Sequence, residues 1–410
     1  MKKLFGLLLL SMAYFIVFPF AAYAINDEEL GEIRFMTEKQ VLKNVEDVKD
    51  FLKIQDNTLV IEGDDIDRDK INNEIIQDKK IPSLTKYDNT KSKNLNSPKK
   101  ISPPENNLKN VVPTKSVTTQ ITIHNIYGKL TLDYETVSFP NDSTKFEVKN
   151  IMNEYLKDKE NNLKEDKINM FIEDMKEIYE NPNKTVNTSL QTTTQGEFQG
   201  IVRKTVWAWD TWYHHDISEQ VLVGKAITDY KIYDNGGTES DYDYFSVVQD
   251  TQGWTGKGYY SNEYYQTVTN AFQTDIDNYW VEDKLYDWAP DTDDVELNNG
   301  QDYSFNFGFP ASLSIDFEWN APSGIKMRGE GDKTNGYFTN FFYTPSGGDF
   351  DNDGSFTLEN GANYKLDWSM VDSSYNRTLI LDILTHFRGY VINEDVMQWY
   401  SDIDVLHYDY

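Results

Sequence analysis

Between residues 344 and 360 the chain reads TPSGGDFDNDGSFTLEN, and Asp349, Asp351 and Asp353 fall on alternate positions within it. Three carboxylates held so close repel one another unless something positive sits among them. Gly354 lets the backbone turn sharply there. A hard divalent cation such as Ca2+ collects oxygen ligands from a short loop of this kind, with Ser355 placed to contribute a backbone carbonyl. Asp349, Asp351, Asp353 and Ser355 are therefore the candidate metal ligands, and Ca2+ is the candidate cofactor. An ordinary acidic turn between strands would use the same residues.

The loop resembles the calcium loop of EF-hand and dockerin-type proteins over about a dozen residues. It departs from them at the twelfth position, where Asn360 stands in place of a bidentate Glu and Glu359 comes one place early. No helical pattern flanks it. The resemblance thus implies cation chemistry for the loop and nothing about a helix-loop-helix fold.

A second constellation is aromatic: Trp207-Ala208-Trp209-Asp210-Thr211-Trp212-Tyr213-His214-His215-Asp216. On a strand, alternation puts Trp207, Trp209 and Tyr213 on one face and Trp212 and His214 on the other. An exposed row of rings stacks on sugars or settles at a lipid interface, so Trp207, Trp209, Trp212 and Tyr213 are candidate ligand-binding residues. Burial on both faces of a core strand is the competing explanation. His214, His215 and Asp216 are neighbours that point to opposite faces, so they do not chelate one ion together.

Enzyme signatures are missing. There is no H-E-x-x-H, G-x-S-x-G, phosphate loop or dinucleotide glycine pattern. Any carboxylate pair proposed for glycoside hydrolysis is drowned among 68 Asp and Glu. Net charge is −29, which sets the protein against nucleic acid and anionic lipid and in favour of cations or neutral partners. The chain has no cysteine, so disulfides, thiolate metal sites and cysteine nucleophiles are excluded.

The N-terminus reads as a secretory signal peptide over residues 1–24: Lys2 and Lys3, an apolar run from Leu4 to Phe20, and Ala22-Tyr23-Ala24 before the cut. No later stretch is apolar for long enough to span a bilayer as a helix. The expected location is secreted, extracellular or cell-surface associated.

Around these constellations stand the elements that must position them. Tyr303, Phe305, Phe307 and Phe309, then Leu313, Ile315, Phe317 and Trp319, fall on every second position on either side of Pro310-Ala311-Ser312, which predicts a β-hairpin with one apolar face. A helix opens at the capping box Thr37/Gln40, with two short strands expected around Asp56-Asn57. A second box, Thr144/Glu147, opens an amphipathic helical stretch interrupted at Asn161-Asn162. From Glu197 onward the pattern is strands and loops, the first candidate strand being Ile201 to His214.

The sequence therefore divides into a signal peptide (1–24), a small helical and hairpin segment (25–76), a disordered Lys/Pro-rich linker (77–116), strands with an amphipathic helix (117–182) and a β-rich domain (183–410). The expected fold is mainly β, an antiparallel sandwich preceded by a helical segment. The function this implies is extracellular binding of a glycan or cell-envelope component, with a calcium-stabilised loop. The alternative is a secreted β-type pore-forming or lipid-interacting protein, motivated by the Thr/Ser-rich stretch Thr185 to Gln195. A secreted hydrolase without a recognisable signature ranks third.

Overall fold

The computed structural model describes residues 31–78, 81–86, 111–112, 114–161, 164–181, 197–214, 217–235, 242–256, 267–278, 284–289, 291–297, 302–308, 314–320, 325–333, 336–343, 355–367, 378–391 and 398–409. The N-terminal part holds β1 (Ile33–Thr37), α1 (Glu38–Lys43), α2 (Val45–Leu52), β2 (Thr58–Glu62), α3 (Arg68–Ile75), β3 (Ser83–Lys86) and β4 (Val111–Val112). Then come β5 (Thr114–Ile126), β6 (Lys129–Pro140), α4 (Lys145–Asn161) and α5 (Lys164–Glu180). The remainder is strand: β7 (Glu197–His214), β8 (Ile217–Asp234), β9 (Tyr242–Thr255), β10 (Thr267–Asn278), β11 (Lys284–Ala289), β12 (Thr292–Leu297), β13 (Asp302–Gly308), β14 (Ser314–Asn320), β15 (Ile325–Asp332), β16 (Tyr337–Tyr343), β17 (Ser355–Asp367), β18 (Thr378–Val391) and β19 (Gln398–Asp409).

The fold is mainly β, as its alternating patterns predict. One sheet runs β1-β2-β5-β6-β7-β8-β9-β17-β11, and a second runs β12-β15-β16-β10-β18-β19-β3, with β4 also on β19. Their facing sides form the main core, where Leu132, Tyr134, Val202 and Tyr230 of the first sheet share a cluster with Ile276, Leu381, Ile383 and Leu406 of the second. Each such fully buried side chain contributes roughly 1.5–3 kcal/mol.

The other face of the first sheet is covered by helices. Ile151 and Tyr155 of α4 pack on Val137, Phe139, Trp207 and Trp209, while Phe171 and Met175 of α5 pack on Ile126 and Ile201. The same two helices carry the chain from β6 to its parallel neighbour β7, because a parallel pair needs a long crossover where an antiparallel pair needs only a tight turn. At the β5–β6 turn, Tyr127 (φ 50°) and Gly128 (φ 78°) both adopt left-handed backbone, the two-residue geometry that matches strand twist.

Both capping boxes form. Thr37 Oγ1 accepts from the Gln40 amide and the Gln40 side chain accepts from the Thr37 amide; Glu147 accepts from the Thr144 amide at 2.6 Å and Thr144 Oγ1 accepts in return at 3.3 Å. The hairpin of β13 and β14 keeps the register that its alternation requires, with Phe305 opposite Phe317 and Phe307 opposite Ile315. It forms a two-stranded sheet of its own beside the two large ones.

Three expectations need correction. Only one strand, β2, follows α2; the residues around Asp56 form a turn, with Asp56 itself at φ 63°. The Lys/Pro-rich stretch 77–116 is not wholly without structure, since β3, β4 and the start of β5 lie in it and hydrogen-bond into the sheets. The N-terminal segment is also no separate appendage: β1 and β2 extend the first sheet, and Val41, Val48, Phe51, Ile71 and Ile75 enter the main core.

Candidate functional site

The aromatic strand β7 lies in the middle of the first sheet, and its Trp207 and Trp209 rings meet protein. Trp207 and Trp209 are each 1% exposed and stacked at 6.4 Å with planes 9° apart. Tyr155 closes against Trp207 edge-on at 5.5 Å, and the Lys225 ammonium sits 4.2 Å above the Trp207 ring. The face expected to stack on a ligand is therefore covered by α4. Trp212 is half-buried, and Tyr213 lies opposite Ser218 near the end of the same strand. Core packing, the competing explanation, accounts for Trp207 and Trp209.

Asp349, Asp351 and Asp353 lie outside the described residues, and Ser355 begins β17. Among the described residues no group of three His, Asp or Glu side chains is placed to hold a metal ion.

What the sequence did not announce is an ionic cluster between the sheets. Lys204 projects from β7 into the core, where its ammonium lies 3.1 Å from Asp402 and pairs also with Asp404, both on β19. Arg68, at the start of α3, donates to Asp404 at 3.0 Å and lies 4.3 Å above the Tyr134 ring. Ser116 of β5 donates to Asp402 at 2.8 Å. All four charged groups are buried. Two cations thus balance two carboxylates, the condition under which buried charge is tolerated.

The titration of the cluster follows from this arrangement. Burial pushes the Asp402 carboxyl up, but Lys204, the Ser116 hydroxyl and Arg68 overcome it and hold the group below its ordinary range. For Asp404 burial prevails over Lys204 and Arg68, and the carboxyl is raised. Burial lowers Lys204, yet the two carboxylates more than compensate and its ammonium is held above its usual value. Tyr230, behind them, is pushed up to about 12, chiefly by burial.

Beside the cluster opens a pocket of about 160 Å³ lined by Asp65, Ile66, Asp67, Arg68, Asp69, Ser116 and Thr118. It lies where the N-terminal segment meets β5. Its chemistry is that of an acid-rimmed recess with a guanidinium at its wall, suited to a small polar or cationic group. Elsewhere among the described residues, His386 Nε2 is 3.1 Å from Asp275. That pair is 2% and 7% exposed, with Trp399 against the imidazole, so it is closed to a substrate.

No family model matches the chain, and no curated protein matches it. Two solved structures share part of its shape. One is titled a pore forming protein, with 11% identity, 51% of this chain and 90% of that chain covered, and a TM-score of 0.27. The other is the Clostridium perfringens NetB toxin in the membrane inserted form, with 9% identity, 50% and 91% covered, and a TM-score of 0.21. Scores this low carry no argument about what the chain does.

Proposed function

We propose that the chain is a secreted protein that acts on lipid membranes through its β-sheet body, as a β-type pore-forming or lipid-interacting protein. One observation supports this best: the central strands β7, β8 and β9 run for 18, 18 and 14 residues, where about 5–6 is usual. At about 3.3 Å per residue the longest reach roughly 60 Å, about twice the thickness of a bilayer's hydrocarbon core. A compact ligand-binding sandwich needs no such length. A body that must bridge from a membrane surface into the bilayer does.

The Thr/Ser-rich stretch Thr185 to Gln195 lies outside the described residues and does not carry the reading. Binding of a glycan or envelope component loses its chief motive with Trp207 and Trp209 in the core. Secretion is proposed from the signal-peptide pattern of residues 1–24, which also lie outside the described residues. The Ca2+ site at Asp349, Asp351, Asp353 and Ser355 is proposed from its sequence.

The test is release of a self-quenched dye from phosphatidylcholine vesicles, whose neutral surface does not repel a chain of net charge −29. Concentration-dependent release, or flotation of the protein with the vesicles, is the expected result. Absence of both release and flotation overturns the proposal.

A further inference from the structure

In a chain of which 26% is charged, the stretch Ser116–Ile126, SVTTQITIHNI, contains no Asp, Glu, Lys or Arg. It makes up most of β5. Uncharged, free of Pro and rich in Thr, Ile and Val, it has the composition that pairs with a neighbouring chain wherever a sheet edge stands open. The repulsion that net charge imposes between copies is lifted along this strand.

The free edge of that strand is covered by the chain's own N-terminal segment. The Asn125 amide donates to the Asn57 carbonyl at 2.9 Å, and β2 then pairs with β5 from His124 to Gln120. Past the end of β2 the cover continues without a strand: the Gly63 amide donates to the Thr119 carbonyl at 3.2 Å and the Ile66 amide to the Thr118 carbonyl at 3.3 Å. From Asn125 to Thr118 the uncharged edge is therefore occupied from within. The segment that occupies it is joined to β5 through residues 79–115, where nine lysines stand against Asp88 and Glu105.

We propose that residues 31–78 act as an edge guard, and that β5, once uncovered, pairs with β5 of a second copy of this chain. Identical strands meeting antiparallel form a two-fold, self-complementary junction, so one strand sequence supplies both sides. The inference stands apart from the membrane reading, because the association it describes occurs in lipid-free buffer.

The experiment uses the full chain with a specific protease site inserted between Asn96 and Ser97. After cleavage the protein is taken through graded urea below its unfolding midpoint, while mass spectrometry follows departure of the N-terminal fragment and sedimentation velocity follows association. Departure and self-association should appear together. The chain has no cysteine, so Glu62→Cys with Gln120→Cys, opposite each other across β2 and β5, gives a clean lock: oxidised, it should block both events, and reductant should restore them. Gln120→Lys, a charge on the proposed junction, should weaken association of the uncovered body about tenfold or more, measured at equal extent of fragment departure. A body that stays monomeric after the fragment leaves, a fragment that leaves only on unfolding, or association indifferent to the lock or to Gln120→Lys each overturns the proposal.

Discussion

Arg68 is the residue on which the charge balance of the interior depends. The body supplies one buried cation, Lys204, for Asp402 and Asp404, and the second is delivered by α3. Removing one partner of a buried pair leaves an uncompensated charge, at a cost of about 3–5 kcal/mol. Arg68→Met should therefore lower the unfolding free energy by about that much in urea titrations. Asp404→Asn in the same background should recover much of it, since Lys204 then balances Asp402 alone; two losses that simply add would show that charge is not the cause. Asp382 gives the opposite case. Burial first, and then Asp277 directly opposite on β10, push its carboxyl up to about 7. Because the folded value exceeds the unfolded value of about 3.9, the group's stabilising contribution is complete below pH 4 and is lost as pH rises through 7. Asp382→Asn should remove that decline, so melting temperatures of mutant and parent should diverge in the mutant's favour between pH 4 and pH 8.

Elements whose signals are local were legible in the sequence. The boxes at Thr37 and Thr144 and the alternation through β13 and β14 concern neighbours a few residues apart, and they appear in the structure as read. β19 was hidden, because Asp402 and Asp404 point into the core and Trp399, Tyr400, Leu406 and Tyr408 are buried as well; with both faces covered, no two-residue period survives. α3 was hidden for a related reason: Arg68 and Asp69 look like surface in the sequence, and only the distant carboxylates of β19 make Arg68 interior. The density of rings on β7 is plain in the sequence, but that Trp207 and Trp209 are covered is decided by α4, which the strand's own residues do not announce. The loop ahead of β17 belongs at this scale too. Binding to the native state alone stabilises by about 2.7 kcal/mol at a hundredfold excess over Kd, and without a twelfth-position Glu the affinity should be of extracellular-module strength, roughly 10⁻⁴ to 10⁻³ M. Millimolar Ca2+ should raise the melting temperature, Mg2+ much less, and Asp351→Ala should erase the difference. A melting curve indifferent to chelator identifies an acidic turn.

At the scale of the whole molecule, composition and connectivity act against each other. A net charge of −29 works to spread the chain apart, whereas the sheets draw distant segments together: β3 and β4 both pair with β19. The sequence segments distinguished by composition share these sheets, so they are coupled in stability even where their residues look unlike one another.

Contact between segments so far apart has a consequence for the order of events in the cell. Arg68 and Asp404 stand 336 positions apart, and a chain made from its N-terminus presents the guanidinium long before its carboxylate exists. At synthesis speeds of about 5–20 residues per second, α3 waits for tens of seconds with a cation that has no interior to enter. The N-terminal segment can pair with β5 early, yet Arg68 must wait for β19, and a nascent chain halted before β19 leaves that guanidinium without its carboxylate. Arrival of β19 is the event that closes the ionic cluster.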